Sequence, residues 1–202
     1  MKKVLVLIMF SALFVSASAS ASGFGSLQTA TTGGMGKGNF MGSIGVGDAT
    51  TFSGIYSYGL SANTDGRLKL GLIDGGRGSD ANLMFGADFK YNIVSTKDLK
   101  NGPFDMAVGG LFEYYDDEYG SMWMLGGQFI GSYPFIMENQ RVLSPYGRIN
   151  VRIESISDAD SELEIGFNAG IKWELSNTID FFGEIQIDNI DNFYFGLDFN
   201  VM

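Results

Sequence analysis

Between residues 39 and 201 the chain alternates apolar side chains with small or polar ones. Leu83, Phe85, Ala87, Phe89, Tyr91 and Ile93 take one parity, and Met84, Gly86, Asp88, Lys90 and Asn92 take the other. The same alternation carries Leu163, Ile165, Phe167, Ala169, Ile171, Trp173 and Leu175 against Glu162, Glu164, Gly166, Asn168, Gly170, Lys172 and Glu174. It returns in Gly147, Ile149, Val151 and Ile153 against Tyr146, Arg148, Asn150, Arg152 and Glu154, and in Phe193, Phe195, Leu197, Phe199 and Val201 against Asn192, Tyr194, Gly196, Asp198 and Asn200. A period of two puts successive side chains on opposite faces of a β-strand, whereas a helix needs apolar positions three and four apart. Turn-forming residues divide the pattern into about ten strands, near 39 to 47, 51 to 60, 67 to 73, 82 to 94, 103 to 114, 121 to 135, 143 to 155, 162 to 175, 179 to 187 and 192 to 201. Eight strands is the alternative count. Several of these segments reach the length a tilted strand needs to cross hydrocarbon.

The polar face sets which side looks inward. It mixes Gly71, Gly86, Gly109, Gly166, Gly170 and Gly196 with charges of both signs. A water-facing surface has no need of glycine, but a narrow barrel lumen does, while bulky Leu, Ile and Phe suit lipid. The reading is an all-β, closed, antiparallel up-and-down transmembrane barrel. Its lumen is expected to hold an ion-pair network of Lys69, Asp88, Lys90, Arg148, Arg152, Glu154, Glu164, Lys172, Glu174 and Glu184, because an unpaired charge in a narrow interior costs several kcal/mol. On the apolar face, Tyr58, Tyr91, Phe104, Tyr133, Trp173 and Phe181 fall toward one set of strand ends, and Tyr114, Trp123 and Phe193 toward the other. That places an aromatic girdle at each interface. Acids gather on one set of connections, including Asp48, Asp74, Asp80, Asp116, Asp117, Glu118, Asp158, Asp160, Asp188 and Asp191.

The first residues have a different layout. Lys2 and Lys3 precede an apolar run from Val4 to Val15 and a small-residue tract ending at Ala19, Ser20 and Ala21. This is the order of a secretory signal peptide, too short to span a bilayer as a helix. The expected organisation is a signal peptide over 1–21, a flexible Gly/Ser/Thr-rich periplasmic lead-in over 22–38, and the barrel over 39–202.

Composition then removes most chemistry. With 0 Cys and 0 His, the chain of 202 residues has no thiolate nucleophile, no histidine base and no Cys-based zinc or iron-sulfur site. The formal charge of −10 argues against nucleic acid, which needs clustered Lys and Arg. A carboxylate pair for acid-base work could be drawn from Glu154, Glu164 and Glu184, but Arg148, Arg152 and Lys172 are expected to neutralise those acids across neighbouring strands. The Gly33-Gly34-Met35-Gly36-Lys37-Gly38 run matches neither phosphate-binding fingerprint and precedes a strand. Asp116-Asp117-Glu118 and Asp158-Ala159-Asp160 read as solvated loop acid, with weak Ca²⁺ binding as the alternative. No enzyme, no catalytic or metal site and no cofactor is expected.

A signal peptide, a Gly-rich start, amphipathic strands and the closing Phe193-Tyr194-Phe195-Gly196-Leu197-Asp198-Phe199-Asn200-Val201-Met202 resemble small bacterial outer-membrane β-barrel proteins of the porin-like superfamily. The resemblance implies residence in the Gram-negative outer membrane, contact with its lipid, and handling by the barrel-assembly machinery during biogenesis. It departs from the family in ending on Met202, with Phe199 and Val201 carrying the outward register. Three functions follow: an integral barrel with a narrow charged lumen and a structural or envelope role, a narrow solute or ion channel, or a soluble periplasmic barrel holding an apolar ligand.

Overall fold

The computed structural model describes residues 23–74, 81–96, 104–117, 120–156, 161–188 and 191–201. The signal-peptide reading therefore lies outside the described residues, as do Asp80, Glu118, Asp158 and Asp160 among the acidic loop positions. The described residues contain no helix. The strands are β1 (Gly38–Gly47), β2 (Thr50–Gly59), β3 (Thr64–Asp74), β4 (Asn82–Val94), β5 (Asp105–Asp117), β6 (Gly120–Ser132), β7 (Phe135–Ile136), β8 (Val142–Ile156), β9 (Glu162–Glu174), β10 (Ile179–Ile187) and β11 (Asn192–Val201).

Each long strand pairs antiparallel with its neighbours in sequence, and β1 pairs with β11 from Gly38↔Val201 to Gly47↔Asn192. That seam closes a barrel of the ten long strands, with no free edge left to recruit another chain. The starts of β1 and the end of β11 share one rim, here the near rim; the β1–β2 and β10–β11 connections lie at the far rim.

The strand expected over 121 to 135 is broken. Pro134 has no N–H to give to a ladder, so β6 stops at Ser132 and pairing with β8 resumes only at β7, through Phe135↔Leu143 and Ile136↔Val142. The β7–β8 turn is closed by Met137 N donating to Arg141 O (2.8 Å) and Gln140 N to Met137 O (2.9 Å).

Alternation became orientation as expected. Leu68, Leu70 and Leu72 stand on the outside of β3, while Arg67, Lys69 and Gly71 between them are buried in the lumen. Leu68 is 66% exposed and its neighbour Lys69 3%. The aromatics assigned to the girdles all lie on the outward parity: Tyr58, Tyr91, Phe104, Trp123, Tyr133, Trp173 and Phe193 are exposed, and Tyr114 and Phe181 half-buried. Tyr114 packs on Phe85 at 5.0 Å between ring centroids, a tilted contact between side chains of paired strands.

Candidate functional site: the lumen and the segment that fills it

A ten-stranded barrel is a little wider than the eight-stranded kind whose interior side chains just fill it. The extra width is occupied. Gly23 to Ala30 is buried throughout, threaded inside the barrel between its walls. The lead-in that the sequence placed outside as a flexible segment is instead part of the interior, because its polar backbone finds partners on the charged wall.

The contacts run the length of the bore. Near the far rim, Phe24 packs with Ala49, Ile73 and Met84, and its ring lies 5.4 Å from the Lys69 ammonium. Midway, Leu27 joins Met41, Ile55, Tyr146, Phe182 and Tyr194. Further on, Ala30 packs with Ala107 and Ile130. Three residues of the segment, spaced by three, thus each enter an apolar patch on an otherwise polar wall. Glycines make room for it: a Cβ on Gly25 would stand 2.7 Å from Cγ of Tyr194, and one on Gly86 would come 3.4 Å from the Phe24 ring.

Between those anchors the wall binds backbone. The Glu184 carboxylate accepts from Ser26 N (2.6 Å) and Leu27 N (2.7 Å), and also from the Tyr146 hydroxyl (2.7 Å) and Asn168 Nδ2 (2.8 Å). Leu27 sits at φ 44°, which turns two successive N–H groups toward one carboxylate. Arg67 Nη1 donates to Ser26 O (2.8 Å), Lys90 Nζ to Thr29 O (2.7 Å) and Thr31 O (2.6 Å), and Asn92 Nδ2 to Ala30 O (2.9 Å). Ala30 N reaches Ser132 Oγ (3.1 Å), and Gly33 N reaches Asp65 Oδ2 (3.1 Å) at the near rim. A cavity of ≈ 100 Å³ remains beside Thr31, Lys37, Tyr58, Lys172 and Asp198.

The wall's own charges form two clusters. In the first, Asp88 takes Arg67 (2.6 Å) and Lys69 (2.9 Å), and Lys69 also reaches Glu113 (3.1 Å). In the second, Arg152 binds Glu154, Asp188 (2.7 Å) and the Asn150 side chain (2.6 Å). Lys90 pairs with Asp65 at 3.5 Å, and Lys172 with Asp180 at 2.9 Å. Of the residues assigned to the network, Lys69, Asp88, Lys90, Arg152, Glu154 and Lys172 are in ion pairs. Glu184 serves the threaded segment instead, and Glu174 accepts from Val142 N at 3.0 Å. Glu164 faces inward opposite Arg152 in the β8–β9 register and is half-buried. Arg148 is inward and 2% exposed, with no hydrogen-bond partner for Nε and Nη2 among the described residues.

Sequence reasoning missed Asp65, Arg67, Glu113, Asp180 and Asp188 as ion-pair partners, although their inward parity was readable. Tyr146 and Tyr194 lie inward, on the polar parity that the alternation gives them, whereas the inward Phe182 carried no assignment. The signal for the threaded segment was faint: Phe24, Leu27 and Ala30 at intervals of three within a Gly/Ser/Thr-rich run.

At the far rim, Asp191 N donates to Asp48 Oδ2 (3.0 Å), Asp48 N to Asp191 O (3.2 Å) and Asp188 N to Asp191 Oδ1 (3.2 Å), tying the two connections that flank the seam.

The fold and its interior define the class: a closed antiparallel β-barrel, apolar outside and ionic within. Among solved structures, a bacterial polysaccharide outer membrane secretin is similar at a TM-score of 0.49 and 8% identity, over 76% of this chain and 57% of its own, so this chain spans little more than half of it. A KdgM porin matches at a TM-score of 0.44 and 8% identity over 81% of this chain and 99% of its own. The beta domain of the Bordetella autotransporter Brka matches at 0.45 and 11% over 81% and 98%. No protein-family profile matches the chain, and no curated protein sequence matches it significantly.

Proposed function

We propose that this chain is an integral outer-membrane β-barrel, not an enzyme, whose lumen is closed at rest and whose role is structural within the envelope. The observation that carries the reading is the inverted distribution of side chains. Phe52, Leu70, Phe89, Leu125, Ile149 and Phe195 stand exposed around the outside, while Arg67, Asp88, Glu113, Arg152 and Glu184 are buried within. A soluble monomer rarely exposes a contiguous apolar patch beyond a few hundred Å². Each large side chain moved from water into acyl tails gains about 1.5–3 kcal/mol. Strands of nine to fifteen residues meet the length that a tilted crossing requires. The soluble ligand-binding alternative needs those bulky side chains to fill the interior, and they face the other way.

The even strand number brings both strand termini to one rim; on the outer-membrane reading that rim is the periplasmic one and the acidic far rim lies outside. The barrel-assembly machinery and outer-membrane lipid are then its partners. Extraction tests the reading: the protein should need detergent to leave membranes and should migrate faster on gels unheated than boiled. Recovery in the soluble fraction without detergent would overturn it. Planar-bilayer recording separates the roles, with silence expected for the closed barrel and steady conductance for a channel.

A further inference from the structure

We propose that the lumen is a binding channel for an extended peptide, occupied in cis by residues 23–33, and that this segment is a displaceable plug whose release opens a water-filled path. The proposal rests on the membrane-barrel reading and adds a ligand class to its lumen: a Gly/Ser/Thr-rich strand with apolar side chains at every third position.

Three observations carry it. First, the barrel does not need the segment to close. Every long strand is paired on both sides, β1 with β2 and β11 and β6 with β5 and β8, so the segment contributes nothing to the wall ladder. Second, recognition is directed at peptide backbone. Glu184 takes two successive N–H groups, Arg67 takes one carbonyl, Lys90 takes two and Asn92 one, while pockets receive Phe24, Leu27 and Ala30. Alternating donors and acceptors with a pocket at each third residue is the layout of a peptide site. The wall cations at Arg67 and Lys69 keep their ion pairs to Asp88 independently of the segment. Third, the segment meets β1 at a turn and is not a continuation of the wall. Gly34 and Gly36 take positive φ (91° and 79°). Gly36 N donates to Gly59 O (2.9 Å) and Gly59 N to Lys37 O (2.9 Å), which holds the turn to the end of β2, so residues 23–33 can leave the lumen on its far side while the wall stays paired.

The chain has no cysteine, so one introduced thiol reports on the segment alone. Ser26 is fully buried and its hydroxyl has no partner among the described residues, which makes Ser26→Cys a mild change. The experiment uses the full chain carrying Ser26→Cys, with and without Phe24→Asp and Leu27→Asp, which put charge into two of the pockets. Heat-modifiable migration checks folding, and this also tests the membrane-barrel reading separately. With the plug seated, a membrane-impermeant maleimide should label slowly and the bilayer should stay silent. The Asp variant should label at least ten-fold faster and conduct, and a synthetic peptide of residues 23–33 should close it in a concentration-dependent way. A peptide of the same composition in scrambled order should close it at least ten-fold less well.

A folded Asp variant that stays silent and protected would overturn the proposal, as would equal closure by the scrambled peptide. Should the Asp variant fail to give a heat-modifiable form, Leu27→Ser replaces it. Failure of both to fold makes the segment part of the folding core and overturns displaceability.

Discussion

At the scale of single residues, neighbouring positions in one strand live in opposite media. Val151 is exposed on the outside of β8, and Asn150 beside it is buried within hydrogen-bond distance of Arg152. Val151→Arg should therefore cost about 2–4 kcal/mol, the penalty for a cation at mid-bilayer on a barrel's lipid face. Asn150→Asp should cost far less, since its Oδ1 already accepts from Arg152 Nη1. Phe167, outward on β9, should behave as Val151 does. Urea unfolding of the refolded barrel in lipid measures all three, and equal tolerance on both faces would refute the assignment of sides. Inside, Asp88 holds two cations at once, Arg67 and Lys69. Asp88→Asn leaves Arg67 without its carboxylate in a buried site, and the expected loss is about 3 kcal/mol in the same assay. Lys69 retains Glu113. A double substitution with Arg67→Met should recover much of the loss, because removing both charges avoids the uncompensated one.

At the scale of elements, the threaded segment depends most on Glu184. Its carboxylate serves Ser26, Leu27, Tyr146 and Asn168 together. Glu184→Gln turns one acceptor into a donor facing donors, a buried mismatch worth about 1–3 kcal/mol. The expected result is faster labelling of a thiol at Ser26 with the barrel still heat-modifiable, which separates loosening of the segment from loss of the wall. The wall was legible in the sequence and the segment was not, for a physical reason. A strand buried on one face writes its environment into alternate residues, so β4 and β9 could be placed near 82 to 94 and 162 to 175, against Asn82–Val94 and Glu162–Glu174 in the fold. The register of inward charges followed from the same parity, and with it most members of the ion-pair clusters. A single extended segment inside a lumen touches wall on all sides and writes no period of two. Its contacts are made by backbone groups, which every sequence possesses. The break at Pro134 was readable, but the apolar run around it concealed the stop. For the inward Tyr146 and Tyr194, residue type gave no direction, since aromatics also favour strands and interfaces; parity alone gave it.

At the scale of the whole molecule, everything inside the barrel depends on the β1–β11 seam, which joins the two ends of the wall. The seam also offers a direct test of closure. Asn39 and Asn200 are paired opposite one another across it. Asn200 N donates to Thr178 O at 3.0 Å, on the β10 side, so its backbone polar groups point away from β1. Asn39 and Asn200 therefore form a non-hydrogen-bonded pair, the close kind with Cα atoms ~4.5 Å apart, which lies within the range a disulfide spans. The native chain has no thiol to compete. Asn39→Cys with Asn200→Cys should oxidise readily in the folded barrel, at the cost of the 3.0 Å hydrogen bond from Asn39 to Asp198. The bridge closes a loop of about 160 residues, for which the chain-entropy model gives up to ~5 kcal/mol of stabilisation. The oxidised protein should unfold at higher urea than its reduced form and, after boiling, run ahead of the reduced chain because its ends are tied. A control with Asn39→Cys and Asn63→Cys, which the register does not pair, should not cross-link. If the β1–β11 pair fails to bridge while the barrel is heat-modifiable, the sheet is not closed along this register, and the closed interior derived from it fails as well.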